Sequence, residues 1–270
     1  MSALNPLGVP AHQHPNGGGW VADTATVHES AYVGPNAWVC DSARVCGNAW
    51  VYGNARVSGN AWVSGNAWVY GDARVYDSAR VYGDAQVCDS ARVYDSARVY
   101  GNAQVCDSAR VSGNARVYDS AWVSDSARVY DNAQVYGNAQ VSGNARVSGD
   151  AWVYGDARVC DSARVSGNAR VSGDAQVYGD ARVEAPRHVL TVGPIGSEDQ
   201  YATLARTEAG HLLTVGCWRN GTIDDLKAEV MRRAPQCWPE YREVRRLLRL
   251  RLAGWDAERA AAAADEAVTA

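Results

Sequence analysis

Val stands at position 21 and at every sixth position thereafter through Val183, without a slip. Ala follows four residues after each Val from Val21 to Val177, so 27 consecutive hexads fill residues 21–182. V-Y-G-N-A-R (Val51 to Arg56) and V-C-D-S-A-R (Val87 to Arg92) are typical units. A period of six fits no helix, because it carries Val around every face. It fits a three-residue strand and a corner. Alternation along the strand points Val inward and its two neighbours outward. The next two positions are Gly-Asn or Gly-Asp in 15 hexads and Asp-Ser in eight, residues that accept the left-handed region or bond their own backbone. Ala then points inward at the corner, where nothing larger fits. A Gly-rich repeat can also be a flexible linker, but a linker has no reason to keep Val and Ala in register.

Composition agrees with a copied unit: ten Trp, 14 Tyr and 26 Gly stand beside no Phe, two Met and a single Lys, Lys227. The formal charge of −4 gives no global attraction to nucleic acid or to an anionic membrane. No run of 18 apolar residues marks a membrane span, and no basic-then-apolar leader opens the chain. Seven Cys without framework spacing fit a reducing compartment, so the expectation is a cytoplasmic protein with free thiols.

The hexads closely resemble those of left-handed parallel β-helices, in which an aliphatic residue opens each hexad and a small one follows four later. That resemblance, and not the period, implies a left-handed, three-sided solenoid of nine 18-residue coils. More narrowly, Gly-Gly-Trp-Val at 18–21 is similar to the opening of uncharacterised bacterial and phage hexapeptide proteins. T-V-G-P-I-G-S at 191–197, T-V-G-C-W at 214–218 and G-T-I-D-D-L at 221–226 resemble a terminal domain of phage-type members.

The expected organisation is a flexible tail over 1–17, the β-helix over 18–182, an α/β capping domain over 183–256 and an Ala-rich tail over 257–270. In the capping domain, 188–192 and 211–218 read as strands, with 201–206 a candidate third. Thr222 with Asp225 three residues on makes a helix start, and Ile223, Leu226 and Val230 its apolar stripe. A second helix is expected over about 239–252.

With coils of 18 residues, outward positions sort by side. One side carries Arg56, Arg74, Arg92, Arg110, Arg128, Arg146, Arg164 and Arg182. A second carries Arg80, Arg98 and Arg116 beside Tyr82, Tyr100, Tyr118, Tyr136 and Tyr154. The third is mostly uncharged, with Tyr32, Trp50, Tyr52, Trp68 and Tyr70 as an aromatic patch expected to be an interface. Cys88 and Cys106 stack on it and are expected to stay unbonded. The Arg file with its Tyr neighbours is the candidate binding strip for a nucleotide or polyanion. Against that, residues 21–182 hold 14 Arg with 16 Asp and one Glu. Many Arg follow Asp-Ser-Ala, so the expectation is a solvated face of ordered Arg–Asp pairs with no nucleic-acid partner.

Many hexapeptide β-helix proteins are acyltransferases using a His base at a subunit boundary, beside a loop excursion. Here no excursion interrupts residues 21–182, and His28, beside Glu29, is the only His in the repeats. His12 and His14 lack further ligands for a metal, and none is expected. Arg242, Arg245, Arg246 and Arg249 form a basic helical stripe diluted by Glu240 and Glu243. The sequence therefore reads as a non-enzymatic, homo-oligomeric scaffold without a cofactor. The alternatives are an acyltransferase-like enzyme taking acyl-CoA at an inter-subunit site around His28, and a polyanion- or nucleotide-binding module.

Overall fold

The computed structural model describes residues 8–269, so residues 1–7 of the expected tail and Ala270 lie outside the described residues. A short strand, β1 (Ala11–Gln13), leads into 28 strands that follow one another at six-residue spacing. The first three are β2 (Trp20–Ala22), β3 (Thr26–Val27) and β4 (Tyr32–Val33); the last three are β27 (Arg170–Val171), β28 (Gln176–Val177) and β29 (Arg182–Val183). Every third strand pairs in parallel, which sorts them into sheet A (β2 to β29), sheet B (β3 to β27) and sheet C (β4 to β28). Strands β2–β28 number 27, three per coil, so the chain is a three-sided parallel β-solenoid of nine coils, and β29 opens a tenth. The register steps by 18: Arg92 lies opposite Arg110, and Val93 opposite Val111.

Val and Ala fill the interior, with every one of them buried from Ala31 to Val183. From β3 to β29 the strands are two residues long, not three. The residue after Val still donates to the next coil, as Tyr94 N does to Val111 O, but its carbonyl takes the N–H of the corner Ala (Ala97 N to Tyr94 O, 3.3 Å). The chain is already turning there. From Asp41 onward the first corner residue is left-handed, either Gly or an Asp such as Asp107 (φ +59°) and Asp125 (φ +57°).

Both ends are dressed by the chain itself. Residues 11–17 are not a free tail: β1 pairs antiparallel with β2, His12 opposite Val21. Asn16 satisfies the open edge of β4, its carbonyl accepting Val33 N–H and its Nδ2 donating to Ala31 O, both at 3.0 Å. Gly17 (φ +110°) makes this approach possible, since a Cβ there would lie 2.3 Å from Val33 O.

At the other end a four-stranded antiparallel sheet follows, β30 (Val189–Ile195), β31 (Gln200–Arg206), β32 (His211–Val215) and β33 (Trp218–Gly221) in that order. His188, expected in the first strand, closes a 3-10 turn started by Pro186. Strand β31 is buried on both faces. Ala202 and Leu204 join a core with Leu213, Ile223, Leu226 and Trp255, while Ala205 joins the solenoid core. Thr203 Oγ1 accepts Gln176 N–H (3.0 Å), a donor that β28 has no further coil to use. Helix α1 (Leu226–Arg233) starts after reciprocal bonds between Thr222 and Asp225, Thr222 N to Asp225 Oδ2 at 3.0 Å and Asp225 N to Thr222 Oγ1 at 3.3 Å. Helix α2 (Trp238–Thr269) is longer than expected and absorbs the Ala-rich segment. It is docked well beyond Leu252: Trp255 Nε1 donates to Arg187 O (2.7 Å) and Glu258 pairs with Arg187 (2.7 Å).

Candidate functional site

The outward files run as the 18-residue stacking requires. On sheet A, Arg56 to Arg182 lie one above another, with Arg56 over the ring of Trp38 (4.7 Å). On sheet B, Arg80, Arg98 and Arg116 stack beside a tyrosine ladder from Tyr82 to Tyr154 whose centroids are 4.8–5.1 Å apart. Burial, and then the neighbouring Tyr100, push the Tyr118 hydroxyl up to about 12. On sheet C, Tyr32, Trp50 and Trp68 stack, and Tyr52 and Tyr70 stack beside them at 5.1 Å.

The expected Arg–Asp pairs are not formed. Among the described residues the only repeat Arg in an ion pair is Arg182, and its partner is Glu208 of the capping domain (2.6 Å). The corner carboxylates turn to the backbone one coil on: Asp107 Oδ2 accepts Asp125 N–H (3.1 Å) and Asp125 Oδ2 accepts Gly143 N–H (2.9 Å). A backbone N–H fixed one coil away is a better partner than a guanidinium on a long stem, because binding it costs no side-chain order on the donor side.

The thiol expectation is also corrected. Cys88 and Cys106 are joined in a disulfide between adjacent coils, their Cα atoms 4.6 Å apart. Parallel stacking puts the two sulfurs within reach without moving the backbone.

His28 sits exposed at the first coil of sheet B, its Nδ1 2.7 Å from Ser30 Oγ, over an open depression shared with Glu29, Arg44 and Cys46. His12 bonds Asp23 (3.0 Å), while His14 is buried beside Asn16. The basic stripe of α2 is used internally: Arg245 and Arg249 hold Asp224 (3.1 and 2.7 Å) and keep its carboxyl below the usual range, and Arg245 Nε also bonds Ile223 O. Arg242 pairs with Glu243.

The capping domain holds a cavity of about 370 Å³ that the sequence did not reveal. Its rim joins the β30–β31 turn at Gly196 and Ser197 to the β32–β33 turn at Cys217, opposite Arg233 and Cys237. Arg233 Nη1 donates to Cys217 Sγ (3.0 Å), and Tyr241, its hydroxyl pushed up by burial, lies against Gly196. The signal was present in the two T-V-G segments, whose following turns both reach this cavity. Nothing in their spacing says that the turns converge.

The family model described as YdcK Beta solenoid repeat matches residues 49–65, 55–71, 67–83, 85–101, 91–107, 109–125, 139–155, 163–175 and 175–189. The likeness is to the repeats of that family and covers less than half of the chain. The matched segments begin just before Trp50 and reach Val189, the first residue of β30, with 126–138 and 156–162 among the residues they leave out. No curated protein matches the chain. Among solved structures, LpxA from Acinetobacter baumannii is similar over 65% of this chain and 72% of its own, at 12% identity and a TM-score of 0.30. No helix among the described residues is long and apolar enough to cross a membrane.

Proposed function

We propose that the protein is a non-enzymatic scaffold that assembles with further copies of itself through sheet C and leaves the Arg file of sheet A outward. The observation that carries this reading is the contrast between faces. The outward file of sheet C holds no charge from Tyr32 to Gln140, and Trp50, Trp68 and Trp122 on it are 43%, 41% and 48% exposed. Sheets A and B present stacked guanidiniums that repel the same face of another copy. Sheet C alone buries aromatic area without bringing like charges together. Pairing one face with itself also closes as a two-fold assembly.

Sedimentation velocity tests this. The full chain is expected as a dimer or larger at micromolar concentration, and Trp50→Gln with Trp68→Gln is expected to weaken association at least about tenfold, the cost of truncating central aromatic anchors. A monodisperse monomer at tens of micromolar removes the proposal. Turnover of acetyl-CoA with an amine or hydroxyl acceptor that falls on His28→Ala replaces it with the enzyme reading.

A further inference from the structure

The residue after each Val forms a file of its own along every side. On sheet A it reads Cys40, Ser58, Tyr76, Tyr94, Ser112, Tyr130, Ser148 and Ser166. Wherever tyrosines are consecutive in these files their rings stack, at 5.0 Å for Tyr76 and Tyr94. Ser112 is the one small residue of the repeats with a tyrosine both one coil before and one coil after it. A rung is missing there, and a cavity of about 280 Å³ opens at the gap, bounded by Tyr94 and Tyr130 and floored by Arg110, Arg128 and Arg146. Coils are about 4.8 Å apart, so the two flanking tyrosines stand roughly 9.6 Å from each other. That is room for one planar ring at the separation the ladder already uses.

The floor is cationic and unspent. Among the described residues the guanidiniums of Arg110, Arg128 and Arg146 have no hydrogen-bond or ion-pair partner, although their backbone N–H groups bond the next coil. Two carboxylates share the cavity wall, each with one oxygen held by a backbone N–H: Asp95 Oδ2 accepts Gly113 N–H (3.0 Å) and Asp131 Oδ2 accepts Gly149 N–H (3.1 Å), so three guanidiniums against two carboxylates leave the site net positive. An aromatic slot beside three free guanidiniums matches a ligand with a planar ring and a multiply charged anion. A phosphate monoester carries about −1.5 to −2 at neutral pH and suits the guanidinium fork.

We infer that the Ser112 gap is a binding site for a nucleoside monophosphate, whose base takes the place of the missing ring between Tyr94 and Tyr130 while its phosphate rests on Arg110, Arg128 and Arg146. This site lies on sheet A and is independent of assembly through sheet C. The Tyr ladders themselves provide the decisive variant. Ser112→Tyr completes the file with a ring the corner accepts at the neighbouring coils, so the fold is retained while the slot is filled.

Titration calorimetry of the full chain with AMP at low salt tests the site, with adenosine and inorganic phosphate as separate probes. AMP is expected to bind more tightly than either probe, by about tenfold or more from base stacking over phosphate alone. Ser112→Tyr is expected to abolish AMP binding without lowering the unfolding temperature. Arg128→Gln is expected to weaken AMP and leave adenosine unchanged, a readout that holds even if the Tyr variant folds poorly. The inference is overturned if AMP does not bind at millimolar concentration, if phosphate binds as well as AMP, or if Ser112→Tyr binds AMP like the parent.

Discussion

Gly and Asp share the left-handed corner position for different reasons. Gly pays no steric cost there, whereas Asp accepts some strain and recovers it through its carboxylate. Asp125 shows the exchange: at φ +57° its Oδ2 takes Gly143 N–H at 2.9 Å. Asp125→Ala keeps the strain and loses the bond, for an expected loss of about 1–3 kcal/mol. Asp125→Asn keeps an acceptor and a tolerance for this region, and is expected to cost under about 1 kcal/mol. Asp125→Gly relieves the strain as the bond goes and should fall between the two. Guanidinium unfolding of the three variants checks the order, and an Ala variant as stable as the Asn variant contradicts it. The corner itself was legible, because Ala recurs in one phase 27 times, with Gly or Asp two residues before it in 25. The destination of the carboxylate was not. In sequence the nearest charge is an Arg three residues on, while the group that wins is a backbone N–H 18 residues on. The same blind spot hid the bond between Cys88 and Cys106, whose proximity was visible and whose chemistry was not.

At the scale of elements, β31 is the hinge of the molecule, one face on the last coil and the other on the helices. The capping domain was read less completely than the repeats because each of its elements occurs once. Strand β33 is W-R-N-G, with too few apolar residues to announce a strand, and α2 outruns its apolar stripe because Trp255 and Glu258 are anchored at its far end. Two imidazoles of this domain are withdrawn from solvent, His188 buried and His211 half-buried. Burial first, then Arg206 and Arg187, holds His188 below its ordinary value against the pull of Glu184 and Glu258. Burial first, aided by Arg259, does the same to His211 against Asp224 and Asp256. As pH falls below about 6.5 the unfolded chain takes up these protons before the folded chain does. Stability that is whole above that pH is then lost, by up to about 1.4 kcal/mol per pH unit for each His, until the depressed folded values are reached. Between pH 7 and pH 5, hydrogen exchange corrected for its intrinsic rate is expected to accelerate in residues 186–259 and stay slow in the repeats. His188→Gln with His211→Gln should flatten that response. Equal acceleration in both regions contradicts it.

At the scale of the whole molecule, nine coils make a rod roughly 43 Å long whose interior is uniform and whose three faces are not. Any hexad fits the core in any place, since each delivers one Val and one Ala inward, so face identity depends on phase alone. Deleting residues 93–110 removes one coil and leaves every later residue on its own side. Deleting residues 93–98 also closes the core, but rotates everything after it by one side. Sheet C then continues from Gln86 into Arg110, Arg128, Arg146, Arg164 and Arg182, and the file of sheet A passes from Arg92 to Arg116, Gln134 and Trp152. The 18-residue deletion removes Cys106 and the six-residue deletion moves it off the side of Cys88, so both lose the disulfide and it does not distinguish them. Circular dichroism is expected to show both folded. Light scattering is expected to show the 18-residue deletion assembling like the parent and the six-residue deletion dissociating, because its assembly face has gained a file of unpaired positive charge. High salt should restore part of the lost association, as screening shortens the reach of that charge. Equal assembly of the two variants at every ionic strength would mean that the faces are interchangeable, and the separation of an uncharged assembly side from a cationic outer side would fall with it.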